Sequence, residues 1–204
     1  MGFYTLHVFP WLCDRGMDRP HVERYRREVL AQVSGDVLEI GAGTGLNLRH
    51  YPPGVEKITT VDPSEGMSRR LQKRIRESGT PVERHLLRAE ELPFEDDRFD
   101  CVVSTWTLCS IPDVERAVRE ARRVLAPGGR FVFFEHGLSP DPKVQKWQRR
   151  LDRLQRAFAE GCRLDLDVAA VLAKCGFASV EMDGFYMEKT PRTHGYMYRG
   201  VATK

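Results

Sequence analysis

The sequence predicts an α/β fold in which a mostly parallel sheet carries helices on both faces. Three observations predict it. Short strand-like runs alternate with amphipathic helical runs along most of the chain, the pattern of right-handed βαβ crossovers. The first strand-like run, residues 36–40 (DVLEI), flows directly into the turn Gly41-Ala42-Gly43-Thr44-Gly45. A chain of 204 residues has the size of one such domain and can bury a core without staples.

The elements follow in order. Residues 1–34 are expected to form an N-terminal helical lid segment, and residues 35–204 the α/β domain proper. The aromatic opening, residues 1–13, lacks a basic start and a small-residue cleavage site, so it does not read as a signal peptide. A helix is expected over residues 20–33, with Pro20 near its start. Helical residues should follow the glycine turn to about Tyr51, where Pro52-Pro53-Gly54 breaks them. A second strand over residues 57–61 (KITTV) ends at Asp62-Pro63, and a basic surface helix spans 65–77. The third strand covers 82–87 and the fourth 99–104 (FDCVVS). Val114, Ala117, Val118, Ala121, Val124 and Leu125 share one helical face, and Pro127-Gly128-Gly129 ends that helix. A fifth strand occupies 130–135 (RFVFFE). Beyond Gly137 come a basic helix, a helix near 166–174, and strands near 179–183 and 194–202.

Composition narrows the function classes. The hydrophobic fraction of 41% and the charged fraction of 30% are ordinary for a soluble globular protein. A net charge of +3 is too mild to argue for nucleic acid, and none is expected as a partner. The five cysteines lack C-x-x-C spacing, which predicts neither a disulfide framework nor a metal site, and points to a reducing, cytoplasmic compartment. No apolar run reaches the roughly 18–20 residues needed to span a bilayer.

The chemistry concentrates after the strands. Gly41, Gly43 and Gly45 let the backbone turn sharply and approach a ligand with no Cβ in the way. Their G-x-G-x-G spacing differs from the G-x-G-x-x-G of dinucleotide sites, and Glu39 stands two residues ahead. A carboxylate there repels a pyrophosphate but suits a cationic nucleoside such as S-adenosylmethionine, directly or through water. Asp62, 23 residues past Glu39 (62 − 39) at the end of the second strand, is placed to accept both ribose hydroxyls. Its other reading is a helix cap. Ala89 and Glu90, after the third strand, are expected beside the adenine; Glu90 and Glu91 read equally well as solvated loop charges. Ser104 and the following residues through Cys109, at the carboxyl end of the fourth strand, should line the pocket.

Together the runs VLEIGAGTG, VDPSEGM, AEELPFEDDRFDCVVS and REARRVLAPGGRFVFFEHG resemble class I S-adenosylmethionine-dependent methyltransferases of the small-molecule type 11 group, over about residues 35–137. The resemblance implies a single Rossmann-like domain with a seven-stranded sheet ordered 3-2-1-4-5-7-6, the last strand antiparallel. It carries cofactor binding to Glu39, Gly41, Gly43, Gly45 and Asp62, with Ala89, Glu90 and Ser104 as further contacts. Asn47 with Tyr51-Pro52-Pro53-Gly54, Thr107 to Ser110, Phe134-Glu135-His136, Glu160-Gly161-Cys162 and His194-Gly195-Tyr196 look like the membrane-associated thiol methyltransferases of animal cells. That narrower resemblance implies an alkyl thiol or another soft nucleophile as acceptor, small and apolar. Quinone and phospholipid methyltransferases are looser likenesses, and a non-catalytic adenosylmethionine-binding module is the alternative from another class.

Methyl transfer from a sulfonium needs alignment and water exclusion more than a dedicated nucleophile. A thiol acceptor needs its proton removed, and His136, just past the fifth strand, is the residue expected to do it or else to brace the pocket wall. Cys109 reads as pocket lining, and Trp106 and Trp11 as packing. In the basic helix, Val144, Trp147, Leu151, Leu154 and Phe158 recur at helical spacing. That face is expected to pack on the protein with its charges in water; the alternative is peripheral contact with an anionic membrane.

Overall fold

The computed structural model describes residues 2–204; Met1, the first residue of the expected lid segment, lies outside them. Seven strands, β1 (Gly35–Ile40), β2 (Val55–Val61), β3 (Val82–His85), β4 (Phe99–Thr105), β5 (Leu125–His136), β6 (Ser179–Tyr186) and β7 (Tyr196–Thr203), form one sheet. Their order is β3-β2-β1-β4-β5-β7-β6, and β7 runs antiparallel to both of its neighbours. This is the Rossmann-like order that the family resemblance implies.

Helices cover both faces because the central strands are apolar on both sides. Successive residues point to opposite faces. Leu38, Ile40, Val102, Phe131 and Phe133 therefore meet Val114, Ala117, Val118 and Ala121 of α4 (Val114–Val124) and Val171 and Leu172 of α6 (Val168–Ala173) on one face. Val37, Cys101, Val103, Val132 and Phe134 meet Val22, Tyr25, Val29 and Leu30 of α2 (Pro20–Leu30) on the other. The α4 face expected from its 3.6-residue period is thus the buried one, and Asp113 caps it by accepting the Arg116 amide.

Three stretches differ from expectation. After the glycine turn there is one short 3₁₀ turn, Leu48–His50, in place of a continuing helix. The Asn47 side chain there is taken up by three tertiary hydrogen bonds, and Pro52 follows too closely for a longer helix. β5 begins at Leu125, which pairs with Phe99; the register then jumps to Arg130 opposite Cys101, so Pro127-Gly128-Gly129 is an irregularity within the strand.

The basic helix α5 (Pro142–Phe158) departs from expectation in part: Val144 and half-buried Leu151 face inward as expected, the other three apolar positions do not. Trp147, Leu154 and Phe158 are exposed, whereas Gln148 and Asp152 are buried beside Val144. The inward polar residues satisfy loop backbone. Gln148 accepts the Ser139 amide at 3.0 Å and donates to the carbonyls of Gly137 and Thr193, and Asp152 accepts the Leu164 amide at 2.8 Å. Unpaired, such buried amides cost about 1–3 kcal/mol each. Among the described residues no helix is long and apolar enough to cross a membrane.

Candidate active site

The site is built where β1 ends. Gly41 donates its amide to the Val61 carbonyl at 2.8 Å, and Gly41, Gly43 and Gly45 adopt φ of +70°, +54° and +83°. These values favour glycine. A Cβ on Gly43 would meet nothing nearer than the Gly41 carbonyl at 3.9 Å, so the space beside it is cavity that a side chain would fill. A Cβ on Gly45 would instead collide with Leu71 at 2.8 Å. Gly45 serves packing against α3 (Ser68–Glu77), not the cavity wall.

Asp62 fixes the loop from the next strand. Its Oδ2 accepts the Gly43 amide at 2.8 Å and its Oδ1 the Ser64 amide at 2.7 Å. Burial raises its pKa, and the two amides work against that rise. A carboxylate offers about four acceptor positions, so each oxygen keeps one for a ligand.

Beneath the loop lies a buried polar chain. Arg26 of α2 donates to Asn47 Oδ1 at 2.5 Å, and Asn47 donates to Glu39 Oε1 at 2.7 Å and Thr105 Oγ1 at 3.0 Å. Glu39 is only 1% exposed and does not reach the cavity; Arg26 does, with its guanidinium 4.5 Å over the Trp106 ring. Burial raises the Glu39 pKa, opposed by Asn47, Tyr51 and Arg26, and burial lowers that of Arg26 to about 10. Glu39 Oε2 has no hydrogen-bond partner of good geometry, the nearby Tyr51 hydroxyl included, and neither has Arg26 Nε.

At the end of β4, Trp106 sits at φ +50°, a strained left-handed conformation for a bulky residue. Glu135, fully buried at the end of β5, holds the turn that follows. It accepts the Thr107 amide at 2.8 Å, the Leu108 amide at 3.1 Å and the Ser104 hydroxyl at 2.7 Å. Burial pushes the Glu135 pKa up to about 7 against these donors. Ser104 is fully buried and spends its hydroxyl on Glu135, which removes it from the cavity wall.

The N-terminal segment contributes to the cavity wall. A π-helical turn (Tyr4–Val8) leads into α1 (Phe9–Met17). Thr5, Phe9, Cys13 and Met17 line the cavity from above. Asp14 accepts the Thr44 hydroxyl at 2.7 Å and Arg74 Nη1 at 2.8 Å. Thr5 donates to Glu160 at 2.8 Å, and a Cβ on Gly66 would collide with the Thr5 carbonyl. The cavity is about 490 Å³, inside the roughly 300–1,000 Å³ of small-molecule sites.

Five of the eight expected cofactor contacts line this cavity: Gly41, Gly43, Asp62, Ala89 and Glu90. Glu39, Gly45 and Ser104 do not, for the reasons given. His136 does not face it either; its Nε2 lies 3.1 Å from Cys162 Sγ. Burial disfavours the imidazolium, but the Cys162 contact and the Glu135 charge outweigh it and raise the His136 pKa. Cys109, expected in the lining, is buried behind the wall, 3.3 Å from the same sulfur. Arg26 and Thr44 are cavity residues that sequence reasoning missed. Arg26 sits in the helix expected to be lid, and only its apolar neighbours signalled burial.

Comparison with known proteins agrees with this architecture. The family described as Methyltransferase domain matches residues 38–133. The chain is 32% identical to the thiol S-methyltransferase TMT1B of Rattus norvegicus, over 86% of this chain and 77% of that protein. It is 38% identical to a phosphatidylethanolamine N-methyltransferase of Cereibacter sphaeroides, over 86% and 84% respectively. The crystal structure of a SAM-dependent methyltransferase from Thermotoga maritima, titled a possible histamine N-methyltransferase, superposes with a TM-score of 0.67 at 22% identity, covering 97% of this chain and 98% of that one.

Proposed function

The chain belongs to the class I S-adenosylmethionine-dependent methyltransferases, and from that membership we propose that it methylates the sulfur of a small apolar thiol. The observation that supports the thiol is the similarity to a thiol S-methyltransferase along most of both chains. The apolar upper wall of Phe9, Met17, Trp106 and Ile111 suits an apolar acceptor.

The residues present fit the cofactor. When bound, S-adenosylmethionine supplies a methyl group on a sulfonium that departs as a neutral thioether. Gly43 leaves the room, and Asp62 would take the ribose hydroxyls on its free lone pairs. Arg26, with an unbonded Nε and a place on the wall, would hold the amino-acid carboxylate. Ala89 and Glu90 would flank the adenine. Glu39 acts through Asn47, steering Arg26 without touching ligand. The Asp14 and Thr5 bonds close the lid and keep water out, and holding reactants in line supplies up to roughly 7–11 kcal/mol. The expected base role of His136 is not carried by its position behind the wall.

The similarity to a phosphatidylethanolamine N-methyltransferase supports the second reading, a phospholipid amine. Methyl transfer assays on an alkyl thiol, a quinone precursor and phosphatidylethanolamine separate them. Turnover of the thiol is expected; its absence alongside turnover of the phospholipid overturns the thiol reading.

A membrane face accompanies this proposal. Tyr4 donates to the Phe158 carbonyl at 2.7 Å and ties the N-terminal segment to the end of α5; Phe3, Leu154 and Phe158 are exposed, as are Lys143, Lys146, Arg149, Arg150 and Arg153 of α5. Apolar residues among basic ones suit an anionic bilayer. Sedimentation with phosphatidylglycerol vesicles is expected to carry the protein down and phosphatidylcholine vesicles to leave it behind; equal recovery from both overturns the membrane face.

A further inference from the structure

We propose that Cys109, His136 and Cys162 form a binding site for a zinc-type divalent cation, with two thiolates and one imidazole as ligands and a fourth position left open. Three parts of the chain far apart in sequence deliver these donors to one point. His136 Nε2 lies 3.1 Å from Cys162 Sγ, Cys109 Sγ lies 3.3 Å from the same sulfur, and all three donor atoms fall within 4.8 Å of one another. Zn–S bonds of about 2.3 Å and Zn–N bonds of about 2.0–2.1 Å in tetrahedral geometry separate ligand atoms by roughly 3.5–3.8 Å. The two short contacts reach that range with shifts of a few tenths of an ångström and the third separation, at most 4.8 Å, with a shift of up to about 1 Å, inside side-chain rotation.

The donor set matches the chemistry. Soft thiolates with imidazole favour zinc over calcium or magnesium, which take oxygen. Two thiolates cancel the charge of a divalent cation, so the occupied site adds no net charge to a buried place. Binding releases two thiol protons to solvent and forms two metal–sulfur bonds and one metal–nitrogen bond, with no change in oxidation state. The hydrogen bonds the cysteines make otherwise are long. Cys109 Sγ finds the Trp106 carbonyl at 4.0 Å and Ser110 Oγ at 3.7 Å, and Cys162 Sγ receives Gln155 Nε2 at 3.7 Å.

The backbone holds the donors in place before any cation arrives. Cys109 lies on a 3₁₀ turn (Leu108–Ser110) whose first amide is fixed by Glu135, and His136 is the last residue of β5. Cys162 follows Glu160 and Gly161, which turn the chain off α5 through φ of +49° and +86°. The Arg163 amide then bonds the Cys109 carbonyl at 2.9 Å and ties the two cysteine segments together. Supported donors of this kind make a precise site. Ser110 and Glu160, beside Cys109 and Cys162 in sequence, line the cavity, so the site lies directly behind its wall. Three protein ligands with a vacant position is the arrangement of cations that take an exogenous ligand.

The test uses the full chain, reduced, stripped of metal and kept without oxygen, then titrated with cobalt(II). A thiolate-to-cobalt charge-transfer band and strong visible bands of a four-coordinate ion are expected at one equivalent per chain, and zinc(II) should abolish them. Cys109→Ser, Cys162→Ser and His136→Asn should each weaken binding by about 100-fold or more, beyond the loss expected from an outer-shell partner. Cys175→Ser, whose thiol bonds the Val171 and Glu115 carbonyls and is not among the three donors, should leave the titration unchanged. Far-UV circular dichroism of each metal-free variant checks its fold. Absence of the charge-transfer band in the unsubstituted chain overturns the proposal, as does a band that survives both cysteine changes. The readout uses neither cofactor nor acceptor, so failure of the thiol reading leaves it untouched.

Discussion

Glu135 accepts the Thr107 amide at 2.8 Å, and this bond lets the end of β5 dictate the turn that follows β4. With the Leu108 amide on the same oxygen, it holds Trp106 in its left-handed conformation at the cavity wall. Glu135→Ala orphans two buried amides and the Ser104 hydroxyl. A loss of about 2–4 kcal/mol is expected in denaturant unfolding, with weaker cofactor binding as Trp106 relaxes.

The same carboxyl makes stability depend on pH. Its folded pKa of about 7 lies above the ordinary 4.5, so the folded state holds this proton more tightly. The associated stability is full below pH 4.5 and is lost as pH rises to about 7, a change of about 3 kcal/mol. Glu135→Gln can present its carbonyl to the two amides and its NH₂ to Ser104. The variant should therefore gain on the parent protein between pH 5 and pH 8 in thermal melts. A constant difference across that range would show that burial does not control this group.

Asp62→Ala should abolish measurable S-adenosylmethionine binding by calorimetry while the sheet remains intact. Two hydrogen bonds to a charged group are worth about 1.5–3 kcal/mol each, enough for a loss of 100-fold or more. Parent-like affinity in a folded Asp62→Ala protein removes the ribose assignment.

Arg26→Met should weaken S-adenosylmethionine more than adenosine, because the guanidinium is assigned to the amino-acid end. Calorimetry with both ligands reads the difference. Equal losses would place Arg26 in the scaffold alone.

The lid should open with acid. Burial would raise the Asp14 pKa, but the hydrogen bonds from Arg74 and Thr44 and the Arg70 charge together lower it below 3.8. Its contribution is present above that value and is lost as pH falls through the lowered one. Hydrogen exchange in α1 should rise below pH 4 in the parent and be high already at pH 7 in Asp14→Ala. Gly66→Ala, which intrudes on the Thr5 carbonyl, should have the same effect at all pH values.

What was legible in the sequence was local. The glycine turn, Asp62 and the α4 stripe each announce themselves within a few residues, since strand, turn and helix periods are short-range signals. Glu39 was legible as an acid beside the glycine turn but not as the partner of Asn47, because that neighbour across the loop is set by the 3₁₀ turn. The inner face of α5 was misread for a physical reason: Gln148 and Asp152 are buried to satisfy loops at Gly137, Ser139 and Leu164, and those partners are invisible to periodicity. Cys109, His136 and Cys162 read as scattered because 26 residues separate the last two in sequence and only the fold closes the gap.

Two of the bonds that hold the roof run to Thr44 from Asp14 and to Glu160 from Thr5. One fastening borders the glycine turn and the other the wall in front of Cys162. Independent release of the two would give the two reactants separate doors. Neither then has to wait for the other, and product-inhibition patterns should follow random rather than compulsory order.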